Sequence, residues 1–376
     1  MQIELKHGAG GAATDALIGS LFAKYFQNEI LSRMEDGAVL PELAGSPVLT
    51  TDSFVVTPLF FPGGDIGRLA VCGTVNDLAC MGARPLYLTA AFILEEGLNL
   101  EVLEQVVQSM AATAREAGVQ IVAGDTKVVE RRHPDAVAAA TAKVGADAAA
   151  ATTVQAGANE AAAAMAKAGE DAVSAGTEAA APGLFINTTG LGLRPVHCQI
   201  GASQIRPGDK ILVSGTLGDH HGCILATRLG LQTSLQSDCA PLNKLVAALL
   251  TAGIDVHTVR DMTRGGMATV VNELAAASGC RLVLEEKQIP VREGVTSLCG
   301  LLGLEPYTMG NEGKLVLAVP AEQAGAALAL LQAQTYGREA AIIGSAHSGS
   351  GVFLHTALGG LRNLPPLRGE GLPRIC

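Results

Sequence analysis

After Arg206-Pro207-Gly208-Asp209 the sequence starts its pattern again, and this restart limits the possible folds more than any other feature. Before it, strand-like runs at Pro47–Val56, Tyr87–Leu94, Gln120–Val129 and Leu184–Gly190 are separated by helical spacing at Ile66–Met81 and Leu100–Ala117, with a further helix-like stretch near Asp15–Phe26. Gly118 follows the second of these helices as a stop signal, and Gly124-Asp125-Thr126-Lys127 is expected to interrupt its strand. After the restart, strands at Lys210–Ser214, Arg281–Leu284, Lys314–Val319 and Ala341–Gly344 alternate with helices near Leu242–Ala252 and Gly266–Ala277. A chain of 376 residues exceeds one ordinary core. The reading is therefore α+β with two domains, 1–195 and 196–350, followed by a tail at 351–376.

Two segments stand apart from this pattern. Residues 135–182 are about half alanine, with Gly145, Gly157 and Gly169 at a twelve-residue step. They read as a surface insertion in a hairpin loop, with no part in chemistry, because loops tolerate long insertions at little cost. Pro and Gly recur through Leu364–Cys376, which excludes a helix or a central strand and leaves an extended arm ending in a thiol.

The formal charge of −10 argues against a nucleic-acid surface. No secretory signal and no apolar run long enough for a bilayer is visible. The eight cysteines are dispersed, as reduced thiols in a cytoplasm would be, and Cys72, Cys80 and Cys299 read as core residues.

Carboxylates beside small or turn-forming residues recur at Asp52, Asp77, Asp125, Asp219 and Asp261. Each alone is more often a cap or an Asx-turn, but together they suit magnesium and a nucleoside triphosphate. A Walker A loop and a dinucleotide fingerprint are both missing. Lys127 lies two positions after Asp125, so on a strand both side chains share a face. They form either a surface ion pair or a clamp for a transferred phosphoryl group. Glu312, in Asn311-Glu312-Gly313-Lys314, is a buried base or a turn residue. Cys376 is the sharpest single feature, a thiol on an arm that can visit more than one site.

Taken together and in order, these pieces resemble the HypE family of hydrogenase maturation factors. That family belongs to the superfamily of aminoimidazole ribonucleotide synthetase and selenophosphate synthetase. The matching residues are His7–Gly11, Thr51-Asp52-Ser53, Pro62–Gly67, Gly73–Asp77, Phe92–Gly97, Gly124–Val129, Phe185–Thr188, Ser214–His220, Arg260–Gly266, Asn311–Lys314 and the ending Pro373-Arg374-Ile375-Cys376. The chain departs from the family pattern at 135–182 and at His221, which stands where the family usually has glycine.

The resemblance implies a two-domain PurM-like architecture: an N-terminal dimerising, ATP-binding domain, and a C-terminal α/β domain with a flexible C-terminal tail. It implies that a HypF-type carbamoyltransferase loads a carbamoyl group onto Cys376, that ATP-dependent dehydration turns it into a thiocyanate, and that cyanide passes to iron on a HypC–HypD complex. It further implies magnesium at Asp52, Asp77 and Asp125, and ATP held by these together with Gly10, Gly11, Asn76 and Thr126. Lys127 would stabilise the transferring group, and Glu312 would be the base, with His220 behind it. Two other readings stay open at this point. One is a small-molecule kinase or synthetase of the same superfamily, which would not need Cys376. The other is a non-catalytic assembly scaffold, which would release no ADP.

Overall fold

Period-two patterning builds a first sheet from four long strands. The computed structural model describes residues 1–9, 12–34, 37–131 and 183–367; Gly10, Gly11, the segment 135–182 and Cys376 lie outside the described residues. β1 (Ser46–Phe54) leads to a short ribbon of β2 (Phe60–Phe61) and β3 (Gly64–Asp65), and β4 (Arg84–Glu95), β5 (Gln120–Val129) and β6 (Leu184–Arg194) follow. The sheet order is β1-β6-β4-β5. The strand expected to break at Gly124 runs through without interruption. Gly124 sits opposite Ala90, and a Cβ there would come within 2.4 Å of the Ala90 carbonyl oxygen. This glycine serves a close approach within the ladder, so it does not end the strand.

Helices cover one face of this sheet. A helical run begins with α1 (Ala12–Leu17), passes through a π-turn at Ile18–Phe22 and ends in α2 (Ala23–Tyr25). α3 (Ile66–Cys80) is capped by Asp65, whose Oδ1 accepts from the amides of Gly67 (2.7 Å) and Arg68 (3.0 Å). Every residue of α3 is buried except Arg68 and Asp77. α4 (Leu100–Ala117) starts at Asn99, whose Oδ1 accepts from the Glu101 amide at 2.9 Å, and stops at Gly118 with φ +76°. Its stripe of Leu103, Val106, Val107 and Met110 supplies the core.

The opposite face of the sheet stays open. Leu49, Ile93, Phe185 and Val129 are exposed there, alongside Thr51, Ser53, Asp125 and Lys127.

The second sheet has the order β13-β12-β9-β11-β7-β10-β8. Its strands are β7 (Lys210–Val213), β8 (Thr258–Asp261), β9 (Cys280–Glu285), β10 (Leu315–Val319), β11 (Ala341–Ser348), β12 (Val352–His355) and β13 (Leu361–Asn363). β10 is buried along its whole length, as a strand covered on both faces must be. Five helices accompany it: α5 (Asp219–Arg228), α6 (Asn243–Thr251), α7 (Gly266–Ser278), α8 (Glu293–Leu302) and α9 (Ala324–Gln332). The tail expected from 351 begins later, because β12 and β13 belong to this sheet and Leu364 is fully buried. Val352 and Leu354 alternate inward, a pattern too short to stand out beside so much glycine.

The two halves meet through hydrogen bonds to backbone carbonyls. The Ser237 amide donates to the Pro62 carbonyl (2.8 Å), and Arg68 Nε donates to the Cys239 carbonyl (2.8 Å). Among the described residues no helix is long and apolar enough to cross a membrane.

Candidate active site

Four carboxylates from four separate elements share one buried region at the seam. Asp52 comes from β1, Asp77 from the last turn of α3, Asp261 from the end of β8, and Glu312 from the loop before β10. Their mutual repulsion raises the proton affinity of Asp52, Asp261 and Glu312. Burial first, and then Asp77, lifts Asp52 to about 6, while Arg264 pulls it down. Burial, Asp77 and Asp52 lift Asp261 to about 7. Burial raises Asp77 too, opposed by the Thr50 hydroxyl that donates to its Oδ2 at 2.8 Å.

Glu312 is the extreme member. It is 4 % exposed, and burial followed by Asp261, Asp238 and Asp52 holds its carboxyl well above the ordinary range. Its Oε1 is buried with no hydrogen-bond partner among the described residues. A backbone bond fixes its position: the Glu312 amide donates to Asp238 Oδ1 at 2.9 Å. Asp238 is itself pushed up to about 6 by burial and faces Lys314 at 3.8 Å. A buried acceptor left unpaired costs free energy unless a ligand supplies the donor.

The residues inferred from sequence do not all converge here. Asp125 lies opposite Ala91, which lies opposite Asn187, which lies opposite Ser53. Asp125 therefore shares the open face with Ser53, three strands from β1, at roughly 14 Å given a strand spacing of ~4.8 Å. Asp52 points to the helix-covered face. Within one chain Asp125 does not join Asp52 and Asp77. Lys127 does share a face with Asp125, at 3.0 Å, in a pair more than half exposed. Thr126 points the other way and is buried.

Asn76 serves the seam itself. Its Nδ2 donates to the Ala240 carbonyl (3.0 Å), and its Oδ1 accepts from the Leu242 amide (2.7 Å). Its amide is thus engaged by backbone at both ends. His220 is fully buried, with Nδ1 2.7 Å from Ser237 Oγ and its ring edge-on to Phe61. His221 is also buried, its Nδ1 accepting from the Gly310 amide at 3.3 Å, and burial lowers it to about 4. Cys72, Cys80 and Cys299 are buried as core residues.

Two residues of this region were given no role from sequence. Asp261 was noticed only as one turn carboxylate among several. Asp238, in Ser237-Asp238-Cys239, carries no local signal at all. A separate cavity of about 380 Å³ lies between the α1–α2 run and β5, bounded by Gly8, Thr14, Phe22, Asp125 and Lys127. Gly8 lines it, and it is large enough for part of a nucleotide.

Among the described residues no three His, Cys, Asp or Glu side chains converge tightly enough to hold a metal. Magnesium commonly uses only one or two carboxylates and keeps its waters. Asp52 and Asp77, both partly exposed and Asp77 near enough to raise Asp52, fit that requirement.

The clustering predicts how stability should follow pH. Asp52 and Asp261 hold protons more tightly folded than unfolded, so their contribution is complete below about pH 4 and is lost as pH rises toward 7. Metal-free protein should therefore lose stability as pH rises from about 4 to about 7, and magnesium chloride should restore most of it at the higher pH. Urea midpoints with and without magnesium check this. A midpoint that does not fall with pH contradicts it.

Comparison with known proteins completes the description. The AIR synthase related protein N-terminal domain matches residues 34–146, and the corresponding C-terminal domain matches residues 206–356. The carbamoyl dehydratase HypE of Azotobacter vinelandii is 44% identical over 378 residues, covering 100% of this chain and 97% of its own length. The crystal structure of hydrogenase maturation protein HypE in complex with ATP superposes with a TM-score of 0.83 at 43% identity, covering 99% of each chain. A HypE–HypF complex structure gives a TM-score of 0.70 at 40% identity, covering 94% of this chain and 100% of the other.

Proposed function

The chain belongs to the HypE carbamoyl dehydratases of the AIR synthase related family, and from that membership we propose that it uses ATP to dehydrate a carbamoyl group carried on Cys376. The product is a thiocyanate, a source of cyanide ligands for the iron of [NiFe]-hydrogenase. The observation that carries the reading is Glu312: a buried carboxyl of raised proton affinity, with an oxygen lacking any donor among the described residues, in a chain alike to HypE from end to end.

The chemistry sets each role. A carbamoyl oxygen is a poor leaving group, so it first bonds to the γ-phosphorus of ATP. The bond from that phosphorus to the β,γ-bridging oxygen breaks and ADP departs. The C–O bond then breaks with loss of inorganic phosphate, leaving C≡N on sulfur. The two nitrogen protons leave one per step, and Glu312 takes the second. Its raised proton affinity suits a weakly acidic N–H. Magnesium, held by Asp52 and Asp77, would neutralise phosphate charge. Thr50 keeps Asp77 aimed.

Asp125 and Lys127 enter this reading through a second copy of the chain. They sit on the open face of the first sheet, three strands from Asp52. The apolar residues of that face favour cover by another sheet. We assign the face to a homodimer in which one copy's Lys127 serves the other copy's acidic pocket. A HypF-type carbamoyltransferase is the loading partner and a HypC–HypD complex the iron-carrying acceptor.

Asp77→Asn tests the nucleotide assignment. It removes one charged contact to magnesium, so magnesium-dependent ATP affinity should fall about tenfold or more, while binding measured in EDTA should change little. Equal affinity with magnesium in variant and parent overturns the assignment.

A further inference from the structure

The motif Arg260–Gly266 contains a guanidinium that the reaction so far leaves unused. Arg260 is tied to Glu273 at 3.2 Å. Arg264 is exposed and makes no ion pair or side-chain hydrogen bond among the described residues. Its backbone, in contrast, is tightly held. Met262 is fully buried; its amide donates to the Lys314 carbonyl (3.0 Å), and its carbonyl accepts from both the Asn311 amide (2.9 Å) and Asn311 Nδ2 (3.0 Å). The Gly266 amide closes the turn onto the Thr263 carbonyl at 3.0 Å.

Two consecutive glycines complete the turn in left-handed conformation, Gly265 at φ +76° and Gly266 at φ +59°. A Cβ on Gly266 would lie 2.4 Å from the Met309 carbonyl oxygen. Only glycine tolerates that combination, so the corner bearing Arg264 has one shape.

That corner stands at the carboxylate pocket. Asp261, three residues earlier, is one of its four members, and the Met262 carbonyl between them is held by Asn311, the neighbour of Glu312. A guanidinium on a rigid corner beside an acidic pocket, yet engaged by none of its carboxylates, keeps its donors free for an oxyanion brought there. The anion of this reaction is the transferring phosphoryl group. Asp52 and Asp77 can take magnesium and a second copy's Lys127 is assigned to the same pocket, while among the chain's own residues Arg264 offers an exposed guanidinium to the γ-phosphoryl's outer oxygens.

We infer that Arg264 is a further catalytic residue: it holds the non-bridging oxygens of the γ-phosphoryl group while that group passes from the β,γ-bridging oxygen to the carbamoyl oxygen. This rests on the proposed ATP-dependent dehydration. The competing role is structural, with Arg264 only tempering the charge on Asp52.

Calorimetric titration of the full-length dimer with a non-hydrolysable ATP analogue and with ADP, both with magnesium, separates the two. Arg264→Ala should weaken the ATP analogue roughly 10- to 100-fold and leave ADP within about twofold, because ADP lacks the contacted group. Arg264→Lys should recover part of the loss, since it restores the charge without the fork. Single-turnover dehydration of carbamoyl-loaded protein should slow by roughly 10²- to 10³-fold in Arg264→Ala. Equal effects on both nucleotides, or none on either, overturn the inference. Failure of the parent protein itself to bind the ATP analogue would instead overturn the dehydratase reading on which it rests.

Discussion

Glu312→Gln should leave a folded protein that still binds ATP and magnesium but no longer converts a loaded carbamoyl group into a thiocyanate. The substitution keeps the shape of a side chain that is 4 % exposed and removes only its ability to accept a proton. Loss of a positioned general base costs typically 10²- to 10⁴-fold in rate. Stability should rise, or at least hold, because the carboxyl stands buried beside Asp261, Asp238 and Asp52 with one oxygen unpaired. Burial and its acidic neighbours already favour the neutral form of this carboxyl, so an amide of the same shape brings no new charge and can donate to the neighbouring carboxylates. Retained stability with lost dehydration separates a base from a packing residue. A variant that dehydrates at the parental rate removes Glu312 from the chemistry.

The second large effect concerns two inactive proteins that together regain activity. Lys127→Ala and Glu312→Gln should each abolish dehydration as homodimers. When co-refolded, half of the dimers carry one copy of each. If Lys127 serves the opposite copy's pocket, one of the two sites in a mixed dimer has both intact residues. Activity should then return to about a quarter of the parental value per subunit, following from two-fold symmetry alone. If Lys127 and Glu312 act within the same chain, every site in the mixture lacks one of them and no activity returns. The sheet register motivates the test, since Asp125 and Lys127 face away from Asp52 across three strands. The Asp125–Lys127 ion pair is exposed and weak, so its rearrangement on dimerisation costs little.

What the sequence made legible follows from how local each signal is. Leu100–Ala117 was readable to the residue, because its apolar stripe and its Gly118 stop are both local to one helix. α5 was not, because its first eight residues, Asp219–Ala226, are all buried; a helix without a wet face has no polar–apolar period to detect. Strand β5 was misread at Gly124, where the glycine answers to the neighbouring strand and not to its own chain.

The site shows the same division. Asp52, Asp77 and Glu312 could be named because each sits in a short motif. Their convergence with Asp261 and Asp238 depends on how two domains meet, and periodicity carries no information about that. Asn76, expected from its motif to contact the nucleotide, has an amide that also holds the seam, a contact between domains that no local pattern announces. Arg264 was visible as a letter in its motif, but its freedom from partners emerges only once Arg260 is seen tied to Glu273.

The central claim is that Cys376 carries the group being dehydrated. Mass spectrometry of the C-terminal peptide addresses it directly, after incubation of the intact protein with carbamoyl phosphate and a HypF-type partner, before and after ATP. The predicted result is a peptide heavier by one carbamoyl group on Cys376, which then loses the mass of one water when ATP and magnesium are added; Cys376→Ala, though folded and able to bind ATP, should show neither change. A carbamoyl adduct on another cysteine such as Cys198 or Cys239, or ATP turnover with no loss of water from the Cys376 peptide, would contradict it.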